Sequence, residues 1–252
     1  MDRVRHHYVR SDEVTLRAQH RRVPLPHVQG PPVLLIHGMA ADHRTWRRTA
    51  RALRAAGRDT ITFDQRGHGG SDHSAEYLLD QLAADAETVV NRLGLDRFDV
   101  VGHSLGGQTA LRLAWRRPES VRRLVLEEMP PLPQRRDQMP ESMAAPITAR
   151  RVRLAIKQVM QSPGALLRFD KTMMDSVLPQ FDPDPRWWER LAATPQPTLV
   201  ISGGPIDFLR PEHLQLVADS LPHGHYAELG GGHTVHREAP ARFRRAVLDF
   251  LA

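Results

Sequence analysis

Along this chain, short apolar runs alternate with longer stretches whose apolar residues recur every three or four positions. Val33, Leu34, Leu35 and Ile36 form an unbroken run, which predicts a strand buried on both faces. Trp46, Ala50 and Leu53 follow at helical spacing, and 61–63 predicts a second strand. Leu78, Leu82, Ala86, Val89 and Leu93 mark one helix face that ends at Gly94, a residue suited to the left-handed turn after a helix. A strand at 98–101, a helix at 105–116 halted by Pro118, and a strand at 124–126 continue the rhythm. It then breaks: 130–196 is dense in proline, and Val152, Ala155, Ile156, Val159 and Met160 mark its one clear amphipathic helix. The alternation resumes with a strand at 198–201, a helix opened by Pro211 and running to 221, and a strand at 226–229. Phe243, Ala246, Val247, Phe250 and Leu251 mark a closing helix. Strands alternating with helices predict an α/β fold: a mostly parallel, twisted sheet flanked by helices. The proline-rich stretch is too short and interrupted to hold its own core. The expected organisation is a core domain at 1–129 and 197–252 with a helical lid inserted at 130–196.

Composition changes this picture little. A chain of 252 residues with 40% hydrophobic content can bury the core of one large domain, and it is not a disordered chain. The absence of cysteine excludes disulfide scaffolds, thiolate metal sites and cysteine nucleophiles. No run reaches the roughly 18 apolar residues of a membrane-spanning helix. The first seven residues lead into no apolar run, so no export signal is expected and the reading is cytoplasmic. Lys plus Arg outnumber Asp plus Glu by 35 to 29, which suggests a polyanionic partner. Only Lys157 and Lys171 are lysines, however, and Arg47, Arg48, Arg51 and Arg54 flank the Trp46–Leu53 stripe as the solvated face of a helix would. Neither a nucleic-acid nor a membrane partner is expected.

The chemistry concentrates at Gly102-His103-Ser104-Leu105-Gly106-Gly107, between a predicted strand and a predicted helix. A strand that turns abruptly into a helix forces its central residue into a strained conformation and demands small neighbours. The result is a serine hydroxyl held at the carboxyl edge of the sheet, beside the first amides of the next helix, which can donate to a developing oxyanion. Serine needs a base to take its proton. His233, after three glycines that let its loop curl back, is the candidate; His236 is the alternative base. His223 and His225 lack a nearby carboxylate and read as surface residues; no metal site is expected. The base in turn needs a carboxylate. Asp207, after the 198–201 strand, is preferred, and Glu128, at the end of the 124–126 strand, is the alternative acid.

These features together resemble the α/β-hydrolase superfamily, over nearly everything from Pro32 to the C-terminus. His37-Gly38-Met39 resembles the family's oxyanion loop, which implies the amides of Met39 and Leu105 as the oxyanion donors. Asp64-Gln65-Arg66-Gly67-His68-Gly69-Gly70-Ser71 resembles the family's D-x-R-G-x-G-x-S stretch and is read as structural. The segment around His233 resembles the histidine loop, and the proline-rich insertion resembles the cap. The resemblance implies a serine hydrolase that cleaves a small-molecule ester, thioester or lactone through an acyl-enzyme on Ser104, without metal or organic cofactor. Expected substrate contacts are Gly38 and His103, Trp46, and Trp187 or Trp188, since adjacent residues of a helix cannot both face inward. Alternative readings keep the triad for carbon–carbon bond hydrolysis or perhydrolysis, or retain the fold as a binding protein.

Overall fold

Successive residues of a strand point to opposite faces, and here both faces of the central strands are apolar. The computed structural model describes residues 4–134, 163–206 and 209–252. Its first strands, β1 (Val4–Ser11) and β2 (Val14–Arg21), pair antiparallel as a hairpin. Then come β3 (Val33–Ile36), α1 (Arg47–Ala55), β4 (Thr60–Phe63), α2 (Leu79–Arg92), β5 (Phe98–His103), α3 (Leu105–Arg116) and β6 (Val121–Glu127). After β6 come α4 (Pro163–Leu166), α5 (Thr172–Val177) and α6 (Pro185–Ala192), followed by β7 (Thr198–Ser202), α7 (Pro211–Asp219), β8 (Gly224–Glu228), α8 (Val235–Glu238) and α9 (Pro240–Leu251). The eight strands form one sheet in the order β1-β2-β4-β3-β5-β6-β7-β8, parallel from β4 to β8.

Two apolar layers sandwich this sheet. Leu34, Ile36, Val100, Leu124 and Leu126 pack with α2 and α3 on one face. Val33, Leu35, Val101, Val125 and Ile201 pack with Trp46, Leu53, Phe243, Val247 and Leu251 on the other. Each such fully buried side chain contributes roughly 1.5–3 kcal/mol. Gly94 stands at φ +65 after α2, as the stop signal predicted.

The β1–β2 hairpin has no counterpart in the sequence-based expectation. Its apolar positions (Val9 in β1; Val14, Leu16 and Ala18 in β2) alternate with Arg, His and Gln, so its signal is half as dense as that of a strand covered on both sides. The amphipathic helix expected around 152–160 lies outside the described residues. Of the segment between β6 and β7, residues 163–196 are bound to the loop after β4. Asp170 N donates to Gly67 O (2.8 Å), Tyr77 Oη donates to Asp170 Oδ2 (2.6 Å), and Gln180 bonds both Leu79 N and Tyr77 O. No helix among the described residues is long and apolar enough to cross a membrane.

Candidate active site

The carboxyl ends of β3, β5, β6 and β7 converge on Ser104, the residue between β5 and α3. Ser104 has φ 52 and ψ −118, a region that costs an ordinary residue about 1–3 kcal/mol and that the surrounding packing must enforce. The glycines around it are required sterically. A Cβ on Gly102 would lie 2.3 Å from Gly106 O, and one on Gly106 would lie 2.4 Å from the carbonyls of both Ile36 and His37. Ser104 N donates to Glu127 O at 2.8 Å, tying the turn to the end of β6.

His233 reaches this turn from the loop after β8. Gly230, Gly231 and Gly232 all have positive φ, and Gly232 N donates to Gly203 O at 2.8 Å. His233 Nε2 lies 2.9 Å from Ser104 Oγ, so the hydroxyl can donate to a neutral imidazole. On the other side of the ring, Nδ1 lies 3.3 Å from Glu128 Oε2, and its N–H can donate to the carboxylate. The second oxygen of Glu128 accepts from Gly203 N at 2.6 Å. Glu128 itself stands at φ 49, a turn off the end of β6 that aims its carboxylate at the histidine loop. Burial pushes the Glu128 carboxyl up, with the Gly203 amide opposing and the Glu127 carboxylate reinforcing. Burial also holds His233 below its ordinary value, keeping the ring in the neutral form a base requires. The preferred acid of the sequence reading, Asp207, lies outside the described residues.

Beside the serine runs the 37–40 loop. His37 Nδ1 donates to Gly38 O (2.8 Å), its Nε2 accepts from Gln65 N (3.1 Å), and Gln65 Nε2 donates to His37 O (2.7 Å). Ala40 N donates to His68 Nε2 at 3.1 Å. These bonds fix the backbone on either side of Met39, while Leu105 opens α3 next to Ser104. Asp64 and Arg66 of the D-x-R-G-x-G-x-S stretch tie loops together. Asp64 accepts from His43 N (2.8 Å) and Gly70 N (2.9 Å), and the fully buried Arg66 pairs with Asp85 through two bonds of 2.6 and 2.7 Å.

Several expected substrate contacts sit elsewhere. Trp46 is fully buried in the layer shared by α1 and α9, its ring stacked on His236 at 4.4 Å and near Phe243 at 6.1 Å, so it is a core residue and not a pocket wall. Trp187 is buried under α6, its Nε1 3.3 Å from Gln108 Oε1, and Trp188 packs edge-on against it while donating to Leu132 O. Both tryptophans bind the segment to the core. Gly38 backs onto His103, whose Nδ1 would lie 2.7 Å from an added Cβ. His103 Nε2 donates to His233 O at 2.6 Å, supporting the His233 backbone from below. His223 and His225 are exposed, and no metal-binding cluster occurs among the described residues. The sequence reading missed Thr45, whose Oγ1 lies 2.6 Å from His236 Nε2. No local signal marks it, because the contact joins positions 191 residues apart.

The profile of the alpha/beta hydrolase fold family matches residues 31–164. The sequence is similar to the sn-1-specific diacylglycerol lipase ABHD11 of Mus musculus, 26% identical across 88% of this chain and 81% of the mouse protein. The structure is similar to that of Est816, described as an N-acyl homoserine lactone degrading enzyme, with TM-score 0.76, 25% identity, and 97% and 100% of the two chains covered. It shares its fold with the enol-lactonase from Burkholderia xenovorans LB400, with TM-score 0.78, 22% identity, and 98% and 99% coverage. The eight-stranded sheet, the strained serine turn and a family match over more than half its length establish that the chain belongs to the alpha/beta hydrolase fold family and is a hydrolase of that fold.

Proposed function

We propose that this protein hydrolyses small-molecule carboxylic esters, thioesters or lactones through an acyl-enzyme on Ser104, with His233 as general base and Glu128 as the acid that orients it. The observation that carries the reading is the chain of contacts from Ser104 Oγ to His233 Nε2 (2.9 Å) and from His233 Nδ1 to Glu128 Oε2 (3.3 Å). In the first half-reaction Ser104 Oγ attacks the carbonyl carbon while His233 takes the hydroxyl proton. The ionised Glu128 holds the Nδ1 tautomer and stabilises the imidazolium. The amides of Met39 and Leu105 receive the oxyanion, each such donor being worth about 100- to 1000-fold in rate. His233 then protonates the leaving group and activates water to release the acid. The relatives include a diacylglycerol lipase and an N-acyl homoserine lactone degrading enzyme, which supports an ester-type substrate. The segment at 130–196 serves in this reading as the cap over the serine.

The test is a panel of esters, thioesters and lactones, led by a short nitrophenyl ester, on wild type and variants. Ser104→Ala should abolish turnover, and Glu128→Gln should lower kcat by on the order of 10⁴-fold, while Asp207→Asn stays near wild type. Wild-type turnover by Ser104→Ala overturns the mechanism. Collapse in Asp207→Asn with Glu128→Gln intact overturns the choice of acid.

A further inference from the structure

Beneath the triad lies a second set of polar side chains that the mechanism above does not use. Glu127 is the last residue of β6, and Glu128 turns off the strand at φ 49, so the two side chains meet different partners. Glu128 meets His233; Glu127, fully buried, meets His236. His236 Nδ1 lies 2.7 Å from Glu127 Oε2 and 2.9 Å from Oε1, and His236 N donates to Oε1 at 2.7 Å. The other ring nitrogen lies 2.6 Å from Thr45 Oγ1. The ring is clamped by stacking on Trp46 at 4.4 Å and by Phe243 at 5.9 Å. This repeats the order hydroxyl, imidazole, carboxylate found at Ser104, His233 and Glu128, with shorter contacts, on the far side of the same strand end.

We propose that Thr45, His236 and Glu127 form a buried relay that positions His233 against Ser104 and sets the charge against which Glu128 titrates. The proposal rests on reading Ser104, His233 and Glu128 as the triad.

The positioning argument is geometric. His233 and His236 are three residues apart, and the Glu127 carboxylate accepts both the backbone N–H and the ring of His236. Anchoring α8 to β6 therefore anchors the loop that delivers His233. His103 Nε2, donating to His233 O at 2.6 Å, closes the clamp from β5, and its ring lies 4.9 Å from that of His233 and 5.1 Å from that of His236.

The charge argument follows from the adjacency of the two carboxyls, since like charges held close in a buried site resist simultaneous ionisation. The groups that face the relay are His103 from β5, Glu128 from its own strand end, His233 from the histidine loop, and Arg237 and Glu238 from α8. Glu128 is faced in addition by Ser202 from β7 and by Tyr226 and Glu228 from β8. When Glu127 carries a proton or shares one with His236, Glu128 can ionise alone; when Glu127 is ionised opposite a neutral His236, Glu128 clings to its proton.

Four variants test this in the full-length protein, by kcat and kcat/KM for a nitrophenyl ester as a function of pH. Glu127→Gln keeps an acceptor for His236 but no charge, so the ascending limb should move to lower pH by roughly half to one unit. His236→Phe keeps the ring stacked on Trp46 but leaves Glu127 without its imidazole and therefore protonated, so its limb should move the same way. It also gives the same reading if Glu127→Gln does not fold. Thr45→Val should lower kcat by roughly three- to tenfold with the limb unmoved, and Thr45→Ser should restore it. Limbs at the wild-type position in Glu127→Gln and His236→Phe overturn the charge role, and wild-type kcat in Thr45→Val overturns the positioning role. Glu128→Gln is measured alongside: full turnover there means that the triad reading itself has failed, whatever the relay variants do.

Discussion

Gly203 follows β7, donates to Glu128 and touches the loop that carries His233, so a single added methyl group there should separate the two. Its backbone is not in the left-handed region, and alanine could adopt its conformation; the constraint is space alone. A Cβ built on Gly203 lies 1.9 Å from Gly232 O, 2.7 Å from its carbonyl carbon and 2.9 Å from its nitrogen, whereas real Cβ atoms do not come within 3.0 Å of a heavy atom. All three neighbours are backbone, so no side chain can swing away. Relief requires about 1 Å of separation between β7 and the residue directly before His233. Gly203 N also donates to Glu128 Oε1 at 2.6 Å, so the same movement loosens the acid. A displacement of this size at a reacting group costs on the order of 10²-fold in rate, equivalent to about 2.7 kcal/mol in the barrier. Gly203→Ala should therefore lower kcat for a nitrophenyl ester by about two orders of magnitude and slow fluorophosphonate labelling of Ser104 in proportion. Gly94→Ala is the control. It has φ +65 with nothing within 4 Å, so it should lose about 1 kcal/mol of stability and keep its turnover. A folded Gly203→Ala protein with kcat within twofold of wild type would refute the steric argument.

Further outcomes follow from other buried groups. Burial holds His37 below its ordinary value and His68 and His103 at about 3. The folded state then binds fewer protons than the unfolded chain below the ordinary histidine value of 6.5. Stability should be lost as pH falls from 6.5 toward 3, by up to about 4 kcal/mol per pH unit for three groups. Urea midpoints that coincide at pH 7 and pH 5.5 would contradict this. Trp46→Phe should change stability by no more than about 2 kcal/mol, because the lost ring volume is offset by removing a buried Nε1 that has no hydrogen-bond partner. KM should stay at the wild-type value, and a raised KM would return Trp46 to the substrate pocket. Asp85→Asn leaves the fully buried Arg66 guanidinium only the exposed Glu13 (3.3 Å) as a charge partner and should cost about 3–5 kcal/mol in urea unfolding. A cost under about 1 kcal/mol would mean that this pair does not hold the loop after β4 in place.

The serine turn was legible because its requirements are local. A buried strand, a turn crowded enough to exclude side chains at 102 and 106, and a helix immediately after it all lie within a few residues of one another, and each leaves a mark on residue type. The same holds for the glycines before His233, for the helix at 105–116 and for the central strands, whose two covered faces produce unbroken apolar runs. The β1–β2 hairpin was hidden because an edge hairpin buries one face and its other face carries arginine and histidine.

The partners of these local features were decided only by tertiary structure. Two carboxylates at the ends of neighbouring strands are equivalent as sequence. It is the positive φ at Glu128 and the pairing of β6 with β7 that aim one glutamate at His233, while Glu127, the last residue of the strand, meets His236. Trp46 followed the same rule: at helical spacing it could face a pocket or the sheet, and the packing of α1 against α9 put it beside His236. Sequence alone singled out the strained serine turn, because strain leaves a local signature. Which groups surround it was decided by contacts between positions 105 and 191 residues apart, and at such separations only the assembled sheet brings side chains within hydrogen-bond reach.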